Sequence, residues 1–236
     1  NDSTPKYKKM QLTDKSIIVN PLFGLETLSM IKKDAPELIL AEGVLDALTL
    51  KQCGYPVLAS CGGRFSHAQQ AEPVSRIKGL QKRFPGLKVT IWFDYDPQSK
   101  VGQDSTEAMA KLLLQNGINP YIVSFTGPQK VDVNGLYMND NEAVTKALLD
   151  SCSFLSFMAD KIKKESEPEA AESMREEIIV AVRENPLKGL LKTFLQDSGL
   201  SPSEASARIK DAALKPQELA ARMSKTFRFV GHRELI

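Results

Sequence analysis

Two acidic residues, Asp94 and Asp96, end the most hydrophobic run of the sequence, Val-Thr-Ile-Trp-Phe-Asp-Tyr-Asp. In a parallel sheet, ligands bind at the carboxyl ends of the strands. Two carboxylates this close repel each other unless a positive charge neutralises them, and Mg²⁺ typically binds one or two carboxylates together with water and phosphate oxygens. The pattern therefore favours a divalent-metal site over the simpler alternative, in which Asp94 caps a turn and Asp96 begins a loop with Pro97.

Glu42 stands in the same relation to an earlier strand, because the apolar run 38–41 leads directly into Glu42 and Gly43. A glycine at this point allows a tight turn from strand to helix and leaves room for a ligand beside the helix N-terminus. Asp46 follows one helical turn later. It either accepts hydrogen bonds from the first-turn amides or only compensates the helix dipole, and the sequence leaves both alternatives open.

Asp132 and Asn134 follow the fourth predicted strand, in the segment Gln-Lys-Val-Asp-Val-Asn-Gly. Alone they are a weak signal, since Asp, Asn and Gly are the residues that turns prefer. Their position matters more, because a doubly wound sheet would bring this loop to the same edge as the Glu42 and Asp94 turns. The predicted site then contains four carboxylates, those of Glu42, Asp94, Asp96 and Asp132, and one carboxamide.

An alternation of short β-rich runs and amphipathic stretches positions these residues, and it is typical of a parallel sheet covered by helices. The predicted strands are 38–41, 57–60, 89–93 and 121–125, and the predicted helices are 44–53, 67–83, 103–116 and 140–150. Gly54 and Gly117 follow two of these helices at the place of a left-handed C-terminal cap.

The character of the sequence changes after residue 150, where β-branched runs become scarce and Ala, Glu, Lys, Leu and Arg dominate. We predict two helices within 154–183, separated by the acidic stretch 165–172 with Pro168 as the break. Further helices are expected at 187–197, at 202–213 with Ser201 as N-cap, and at 216–225. The second half is therefore predicted to be helical and without internal repeats.

The composition excludes several classes of protein. The chain has 236 residues, 42% hydrophobic and 25% charged, with 31 Lys and Arg against 29 Asp and Glu for a net charge of +2. This profile argues against a disordered tail, a collagen-like fibre or a highly basic binder. The apolar runs are far shorter than the ~20 residues of a membrane-spanning helix.

Cysteine usage points to the cellular compartment. The three cysteines are odd in number and show no CxxC spacing. They therefore argue against a disulfide scaffold or a zinc ribbon, and favour a reducing cytoplasm. The first residue is Asn rather than Met, and no signal segment precedes it, which we expect of a fragment.

Three motifs together resemble the toprim domain, which primases, topoisomerases and some nucleases share. They are Glu42-Gly43-Val44-Leu45-Asp46-Ala47-Leu48, Phe93-Asp94-Tyr95-Asp96 and Lys130-Val131-Asp132-Val133-Asn134. Each is weak alone, but order, spacing and strand context agree. The segments Pro5-Lys6-Tyr7, Leu22-Phe23-Gly24-Leu25 and 153–157 also resemble the flanks of this domain in bacterial replicative primases, so the likeness covers roughly residues 5–198.

The sequence departs from the primase pattern in several places. Where these primases usually carry Lys-Gly-Arg, it reads Ile17-Ile18-Val19-Asn20, so one phosphate contact would pass to Lys15. The loop 97–102 is longer than the compact type. Asn134 replaces a second Asp, as in the phage primase-helicase branch, and Gly135 follows it. The zinc ribbon and most of the N-terminal part of the polymerase domain are not found in this sequence.

The resemblance implies an α/β fold: a toprim domain, with a doubly wound, mainly parallel four-stranded sheet, followed by an all-helical subdomain. It also implies a division of the chain into four parts. They are the end of an N-terminal polymerase subdomain (1–34), the toprim catalytic domain (35–139), the helical subdomain (140–198) and a helical extension of unknown role (199–236).

The implied activity is that of a DNA primase, a nucleotidyltransferase that synthesises short RNA primers on single-stranded DNA during replication. Two Mg²⁺ or Mn²⁺ ions, held by Glu42, Asp94, Asp96 and Asp132, would align a 3′-hydroxyl and a nucleoside triphosphate, since phosphoryl transfer needs positioning and charge neutralisation. Glu42 would be a metal ligand or a proton acceptor. The implied partners are the DNA template, nucleoside triphosphates, the RNA primer and a replicative helicase, at the replication fork in the cytoplasm and without a membrane.

Phosphates also require positive charge, and residues 51–100 hold eight Lys or Arg against three acids. Four of these bases are interpreted as a solvated helix face, namely Arg76, Lys78, Lys82 and Arg83. The residues predicted to contact nucleotide or DNA are Lys6, Lys8, Arg64, Lys100, Lys130 and Asn134.

Other activities remain as alternatives. A phosphatase of the haloacid dehalogenase type also uses a strand-ending Asp-x-Asp with Mg²⁺, but it would carry Thr or Val at the position of Gln98 and would not explain Glu42-Gly43. Strand passage would need a nucleophilic tyrosine, and none of the five tyrosines has a recognisable setting. A toprim nuclease stays open, as does a non-catalytic module that binds nucleic acid or a helicase.

Overall fold

The computed structural model describes residues 22–60 and 67–214, which form a six-stranded sheet covered by helices on both faces. The strands are β1 (Leu22–Phe23), β2 (Glu37–Ala41), β3 (Val57–Ser60), β4 (Lys88–Trp92), β5 (Tyr121–Ile122) and β6 (Cys152–Ser153). The helices are α1 (Val44–Gln52), α2 (His67–Arg83), α3 (Val101–Gln115), α4 (Val133–Asn139), α5 (Asn141–Leu149), α6 (Phe154–Lys164), α7 (Pro168–Val182), α8 (Leu191–Asp197) and α9 (Pro202–Leu214). Two 3-10 helices, Leu25–Met30 and Pro186–Leu190, complete the described elements.

The strand order is β1-β3-β2-β4-β5-β6, and the four inner strands β3, β2, β4 and β5 are parallel. This confirms the mainly parallel, doubly wound sheet, but its predicted size of four strands is wrong. β1 and β6 add an antiparallel strand at each edge. Each of them is two residues long, which is too short to leave a periodic pattern in the sequence.

The register places the ends of the central strands at one level. Ala41, the last residue of β2, lies opposite both Ala59 of β3 and Trp92 of β4. The chain therefore leaves β2 and β4 side by side, one residue before Glu42 and two residues before Asp94. This register is what makes an acidic site at this edge possible.

Both faces of the sheet are buried, which explains why its strands read as continuous apolar runs rather than alternating ones. The side chains of 38–41 are fully buried. One face packs against α1, α4 and α5, and its core contains Ile39, Trp92, Leu50, Val133 and Val144. The other face packs against α2, α3 and the helices that follow β6, in one core that runs from Leu40 and Ile91 to Phe154 and Phe194.

The helices of the first half begin and end close to their predicted bounds. Gly54 and Gly117 follow α1 and α3 with φ values of 87° and 77°, as the left-handed cap requires. α4 is a helix where we predicted a loop. It begins at Val133, and the side chain of the preceding Asp132 caps it. The sequence Asp-Val-Asn-Gly favoured a loop in our prediction because turns prefer the same residues.

The second half is helical as predicted, with one correction. The two helices predicted within 154–183 are α6 and α7, but the break between them is only 165–167. Pro168 occupies the first turn of α7, where its missing N–H is not needed, so the rest of the acidic stretch lies inside this helix. Ser201 and Glu204 form a capping box before α9: the Ser201 N–H donates to Glu204 Oε2 at 2.8 Å, and the Glu204 N–H donates to Ser201 Oγ at 3.3 Å. The helix predicted at 216–225 lies outside the described residues.

The structure explains the residue types of the Leu-Phe-Gly element at 22–24. Leu22 and Phe23 pair with β3, and Gly24 follows with φ 92°. A Cβ at Gly24 would lie 2.1 Å from the carbonyl oxygen of Val57, so only glycine fits this approach. Within the described residues, no helix is both long and apolar enough to cross a membrane.

Helix α3 is packed directly on the end of β4 through Gly102. A Cβ built on Gly102 would lie 1.8 Å from the carbonyl oxygen of Asp94. The backbone of α3 therefore touches the backbone of the Asp94 turn, and any side chain at this position must push the two apart.

We expect Gly102→Ala to destabilise the protein by roughly 1–3 kcal/mol, the usual cost of overpacking. Gly79→Ala, in α2, is the matched control, because nothing lies within 4 Å of a Cβ there and Gly to Ala in an open helix position stabilises by roughly 0.5–1 kcal/mol. Urea denaturation followed by circular dichroism measures both, and equal stabilities for the two variants would contradict the packing of α3 on the Asp94 turn.

Candidate active site

An isolated antiparallel bridge joins the loop after β4 to the segment before α4. The Tyr95 N–H donates to the Val131 carbonyl oxygen at 2.8 Å, and the Val131 N–H donates back to the Tyr95 carbonyl oxygen at 2.9 Å. Residues opposite one another in such a pair have side chains in contact range. The bridge therefore places Asp94 and Asp132, which flank its two residues, beside each other.

Glu42 holds the Asp94 turn from the neighbouring strand. Its Oε2 accepts a hydrogen bond from the Asp94 N–H at 3.2 Å, so one carboxylate oxygen orients the backbone that carries the other carboxylate. Glu42 is half-buried. The structure thus brings Glu42 and Asp94 together as predicted, while the metal-binding role of either residue stays a prediction.

Asp46 belongs to this cluster, although the sequence analysis left it between two alternatives and outside the predicted ligands. Burial, together with the nearby carboxylates of Asp94 and Asp132, raises the pKa of Asp46 from 3.8 to about 6, against hydrogen bonds from the backbone of Asn134 and of Asp46 itself. Its spacing of one helical turn from Glu42 was the available signal. What the sequence could not show is that α4 brings Asp132 against α1.

Lys130 supplies a positive charge at the centre of the cluster. Its Nζ lies 3.4 Å from Asp94 Oδ2. Burial raises the pKa of Asp94, Lys130 opposes that rise, and the carboxylates of Asp132 and Asp96 add to it. The pKa of Lys130 itself is raised, because desolvation is outweighed by the attraction of Asp94, Asp132 and Asp96. The lysine side chain is more than half exposed, so it can leave Asp94 at little cost.

Asp132 is the N-cap of α4 and Asn134 lies in its first turn, so neither residue is in a loop. Asp132 Oδ1 accepts from the Gly135 N–H at 2.6 Å, which fixes the carboxylate at the helix N-terminus. Asn134 Oδ1 accepts from the Thr49 hydroxyl of α1 at 3.2 Å. The side chain of Asn134 therefore ties α4 to α1, a role that its prediction as a nucleotide contact did not include.

The carboxylate of Asp96, the remaining predicted ligand, is bound by the backbone of residues that follow it closely in the chain. Its Oδ1 accepts from the backbone N–H groups of Gln98 at 2.9 Å and Ser99 at 3.2 Å. These backbone hydrogen bonds, first that of Ser99 and then that of Gln98, lower the pKa of Asp96. The side-chain amide of Gln103 forms two hydrogen bonds with the backbone of Asp96: it accepts from the Asp96 N–H at 3.3 Å and donates to the Asp96 carbonyl oxygen at 2.9 Å. Asp96 therefore caps a turn, as the simpler alternative had it for Asp94, and its place among the metal ligands stays a prediction.

The carboxylates suit a divalent cation by their chemistry, but the structure does not hold them in the geometry of a bound ion. Among the described residues, no group of three His, Cys, Asp or Glu side chains is close enough to hold a metal. Beyond burial, the charges of Asp94 and Asp132 nevertheless raise the pKa of Asp46, and the charge of Asp132 also raises that of Asp94. Hard cations prefer such oxygen donors. The cluster thus carries negative charge in excess of what Lys130 neutralises.

The remaining predicted contacts divide into two groups. Lys100 is the N-cap residue of α3 with φ 55°, a left-handed conformation that is uncommon for lysine, and its side chain is exposed beside the Asp96 turn. Its predicted contact with nucleotide or DNA is not tested by this position. Lys6, Lys8 and Arg64 lie outside the described residues.

Comparison with known proteins agrees with this fold. Residues 39–137 match a family model described as Toprim-like. No curated protein sequence matches the chain. One similar solved structure contains the zinc-binding and RNA polymerase domains of the Aquifex aeolicus primase, with 20% sequence identity, a TM-score of 0.57, and coverage of 87% of this chain and 48% of that chain. A DnaG primase catalytic domain bound to single-stranded DNA has 18% identity and a TM-score of 0.55, with coverage of 78% of this chain and 57% of that chain. The E. coli primase catalytic core has 18% identity and a TM-score of 0.54, with coverage of 76% of this chain and 57% of that chain.

At these identities the likeness to the solved structures shows the fold. The chain spans about half the length of the primase structures it matches. The family model covers Glu42 and Asp94, which follow strands, and Asp132 at the cap of α4. The structural matches extend into the helices of the second half. Residues 39–137 thus form a Toprim-like domain, in a chain whose fold resembles the catalytic domains of DnaG-type primases.

Proposed function

We propose that this chain is the catalytic part of a DNA primase, a nucleotidyltransferase that makes short RNA primers on single-stranded DNA with Mg²⁺ or Mn²⁺. The observation that carries the proposal is the convergence of acidic side chains at the carboxyl end of a parallel sheet, where the Tyr95–Val131 bridge sets Asp94 beside Asp132 and, together with burial, the charges of both raise the pKa of Asp46. Such a cluster is costly to build and binds no anion by itself, so it suits a cation that in turn attracts phosphate. A structural relative with 18% identity is a primase catalytic domain bound to single-stranded DNA.

Asp94, Asp132 and Asp46 are the proposed metal-binding residues at the centre of the cluster, and Asp96 and Glu42 are the proposed ligands at its edge. Divalent ions bound there would neutralise triphosphate charge and align the attacking hydroxyl. Glu42 orients the Asp94 backbone through the Asp94 N–H. We therefore assign Glu42 a positioning role in addition to its proposed role as a metal ligand.

Lys130 has two partners in this proposal. Without metal it neutralises Asp94, and its half-exposed side chain is free to turn towards phosphate once a divalent ion replaces it. Lys100, on the exposed side of the Asp96 turn, is a proposed second phosphate contact. Nucleoside triphosphates, the primer and a replicative helicase are the proposed partners.

The first test is primer synthesis on a single-stranded template with Mg²⁺ or Mn²⁺. We expect Asp94→Ala and Glu42→Gln to lower the rate roughly 100-fold or more, since charge stabilisation by a metal ion is worth several kcal/mol. Asp150→Asn, an exposed acid at the end of α5, is the control and should keep the wild-type rate. Wild-type rates in either site variant would contradict the assignment. Cleavage of the template instead of synthesis would favour a nuclease, and metal-dependent DNA binding without chemistry would favour a binding module.

Lys130→Met should move two affinities in opposite directions. Mn²⁺ binding is expected to become tighter, by about fivefold at most for a partly exposed ion pair, because the lysine no longer competes for Asp94. Binding of tripolyphosphate in the presence of Mn²⁺ is expected to weaken. Isothermal calorimetry measures both, with Lys146→Met on the exposed surface of α5 as the matched charge control. Parallel changes in the two affinities would show that Lys130 does not serve both partners.

The raised pKa of Asp46 predicts that this residue makes the fold less stable as the pH rises. The fold raises the pKa of Asp46 from 3.8 to about 6, so this group binds more protons in the folded state between these values. Its contribution to stability is therefore lost as the pH rises from about 4 to about 6. At neutral pH, Asp46→Asn should therefore stabilise the metal-free protein, by up to about 3 kcal/mol.

A thousandfold excess of Mn²⁺ over its Kd should reverse this order, because a bound cation then stabilises the wild type by about 4.1 kcal/mol, and the variant, which lacks one ligand, gains less. Urea denaturation of both proteins near pH 4 and near pH 7, with and without Mn²⁺, provides the measurement. The difference between the two metal-free proteins isolates Asp46, because the other carboxyls titrate in both. A stability advantage of Asp46→Asn that does not grow as the pH rises from about 4 to about 6 would contradict the buried, repelled state of Asp46.

A further inference from the structure

A cavity of about 110 Å³ lies beside the acidic cluster, between the ends of β4 and β5, helix α3 and Phe157 of α6. Asp94 lines it, whereas Glu42, Asp46 and Asp132 do not. The cavity therefore adjoins the proposed metal site at one residue and is otherwise built from different side chains.

The walls of the cavity are mainly aromatic, with Phe93, Tyr95, Phe125 and Phe157 among its lining residues. Phe93 is buried, but the other three rings are only partly buried, so they present apolar surface to the cavity. Phe125 is fixed by its neighbours: its ring centroid lies 6.2 Å from that of Trp92 and 6.4 Å from that of Tyr95, both tilted. The hydroxyl of Tyr95 donates to the Gly127 carbonyl oxygen at 2.9 Å. The rings are therefore held in place before any ligand arrives.

Two polar side chains of the cavity, those of Glu107 and Gln103, already have partners. The carboxylate of Glu107 pairs with Lys161, and the amide of Gln103 is bound at both ends to the backbone of Asp96. None of the residues that line the cavity is basic. A phosphate would find no positive charge here, so the chemistry favours an uncharged ring that can stack.

The size of the cavity points the same way. Pockets that enclose a whole drug-sized ligand measure about 300–1,000 Å³. This cavity is smaller, which suits a single flat ring system rather than an entire nucleotide. Ser124 and Thr106 are also among the lining residues. The Thr106 hydroxyl donates to the Gly102 carbonyl oxygen at 2.9 Å and keeps its acceptor capacity, which a heteroaromatic N–H could use.

We propose that this cavity is a subsite for one nucleobase, stacked on the rings of Phe125 and Phe157 while its phosphates lie at the neighbouring acidic cluster. The inference rests on the proposed function and adds to it a place for the base. Stacking of a base on an aromatic side chain is tolerant of sequence, as a primer-synthesising enzyme requires. The base belongs either to the incoming triphosphate or to the template strand, and the two sources differ in the ligand that reveals them.

The experiment compares ligands with and without a base on the full chain. Calorimetry measures the affinities of ATP and of tripolyphosphate, each with Mn²⁺, and of a short oligo(dT) and the corresponding abasic strand. We expect at least one base-containing ligand to bind more tightly than its partner without a base, by roughly 5- to 150-fold for one stacked base. A gain for ATP identifies the incoming nucleotide as the source, and a gain for oligo(dT) identifies the template.

Two variants locate the base. Phe125→Leu and Phe157→Leu, from different walls, should each remove most of the gain and leave tripolyphosphate binding unchanged. Tyr121→Leu removes a half-buried ring of β5 that does not line the cavity and should retain the gain. Thermal unfolding shows which variants are folded, and one folded cavity variant is sufficient.

The outcomes separate the two proposals. The subsite is wrong if no ligand gains affinity from its base in the wild type, or if the gain survives in a folded cavity variant. The proposed function fails instead if tripolyphosphate and Mn²⁺ do not bind the wild type, or bind Asp94→Ala equally well. The intrinsic fluorescence of Trp92, the one tryptophan of the chain, gives a second signal, because its ring contacts Phe125.

Discussion

The two hydrogen bonds between Tyr95 and Val131 hold together everything that the site requires. The parallel register alone places Glu42 beside the Asp94 turn, but it leaves the segment before α4 unattached. Pairing Tyr95 with Val131 brings Lys130 and Asp132 to the same edge. The start of α4 is thereby fixed, and with it the packing of this helix on α1 through Thr49 and Asn134. A backbone bridge of one residue pair thus determines where several charged side chains meet.

The charges that meet there oppose folding. Burial and mutual repulsion raise the pKa values of Asp46 and Asp94, and a group whose charged form is disfavoured in the fold costs stability at neutral pH. Lys130 at Asp94, and the backbone amide of Gly135 at Asp132, offset part of this cost. The strain is local and electrostatic, while the cores on the two sheet faces supply the stability that tolerates it. A ligand that carries positive charge would release it.

The sequence sufficed for the elements that depend on local pattern. The four parallel strands are apolar runs, and Gly54 and Gly117 mark helix ends by conformations that other residues avoid. It did not suffice where one residue type serves two purposes. Asp132 is typical of a turn but caps a helix. Asp46 is typical of either a hydrogen-bond acceptor or a dipole partner in the first turn of α1, and the fold also couples it to Asp94. The role of Asp132 was missed because turns and helix caps prefer the same residues. The coupling of Asp46 comes from tertiary proximity, because the packing of α4 on α1 leaves no periodic signal in either segment.

The two short antiparallel strands have a consequence for the solution behaviour of the chain. β1 covers the outer edge of β3, and β6 covers that of β5, so both sides of the parallel sheet end in a partner of opposite direction. Unpaired edges of apolar strands recruit strands from other molecules and lead to aggregation. Since β6 joins the sheet only after the chain has passed residue 150, a nascent or shortened chain that ends earlier would leave β5 open. The helices that follow β6 would then act in folding as well as in architecture, by keeping the last strand in place.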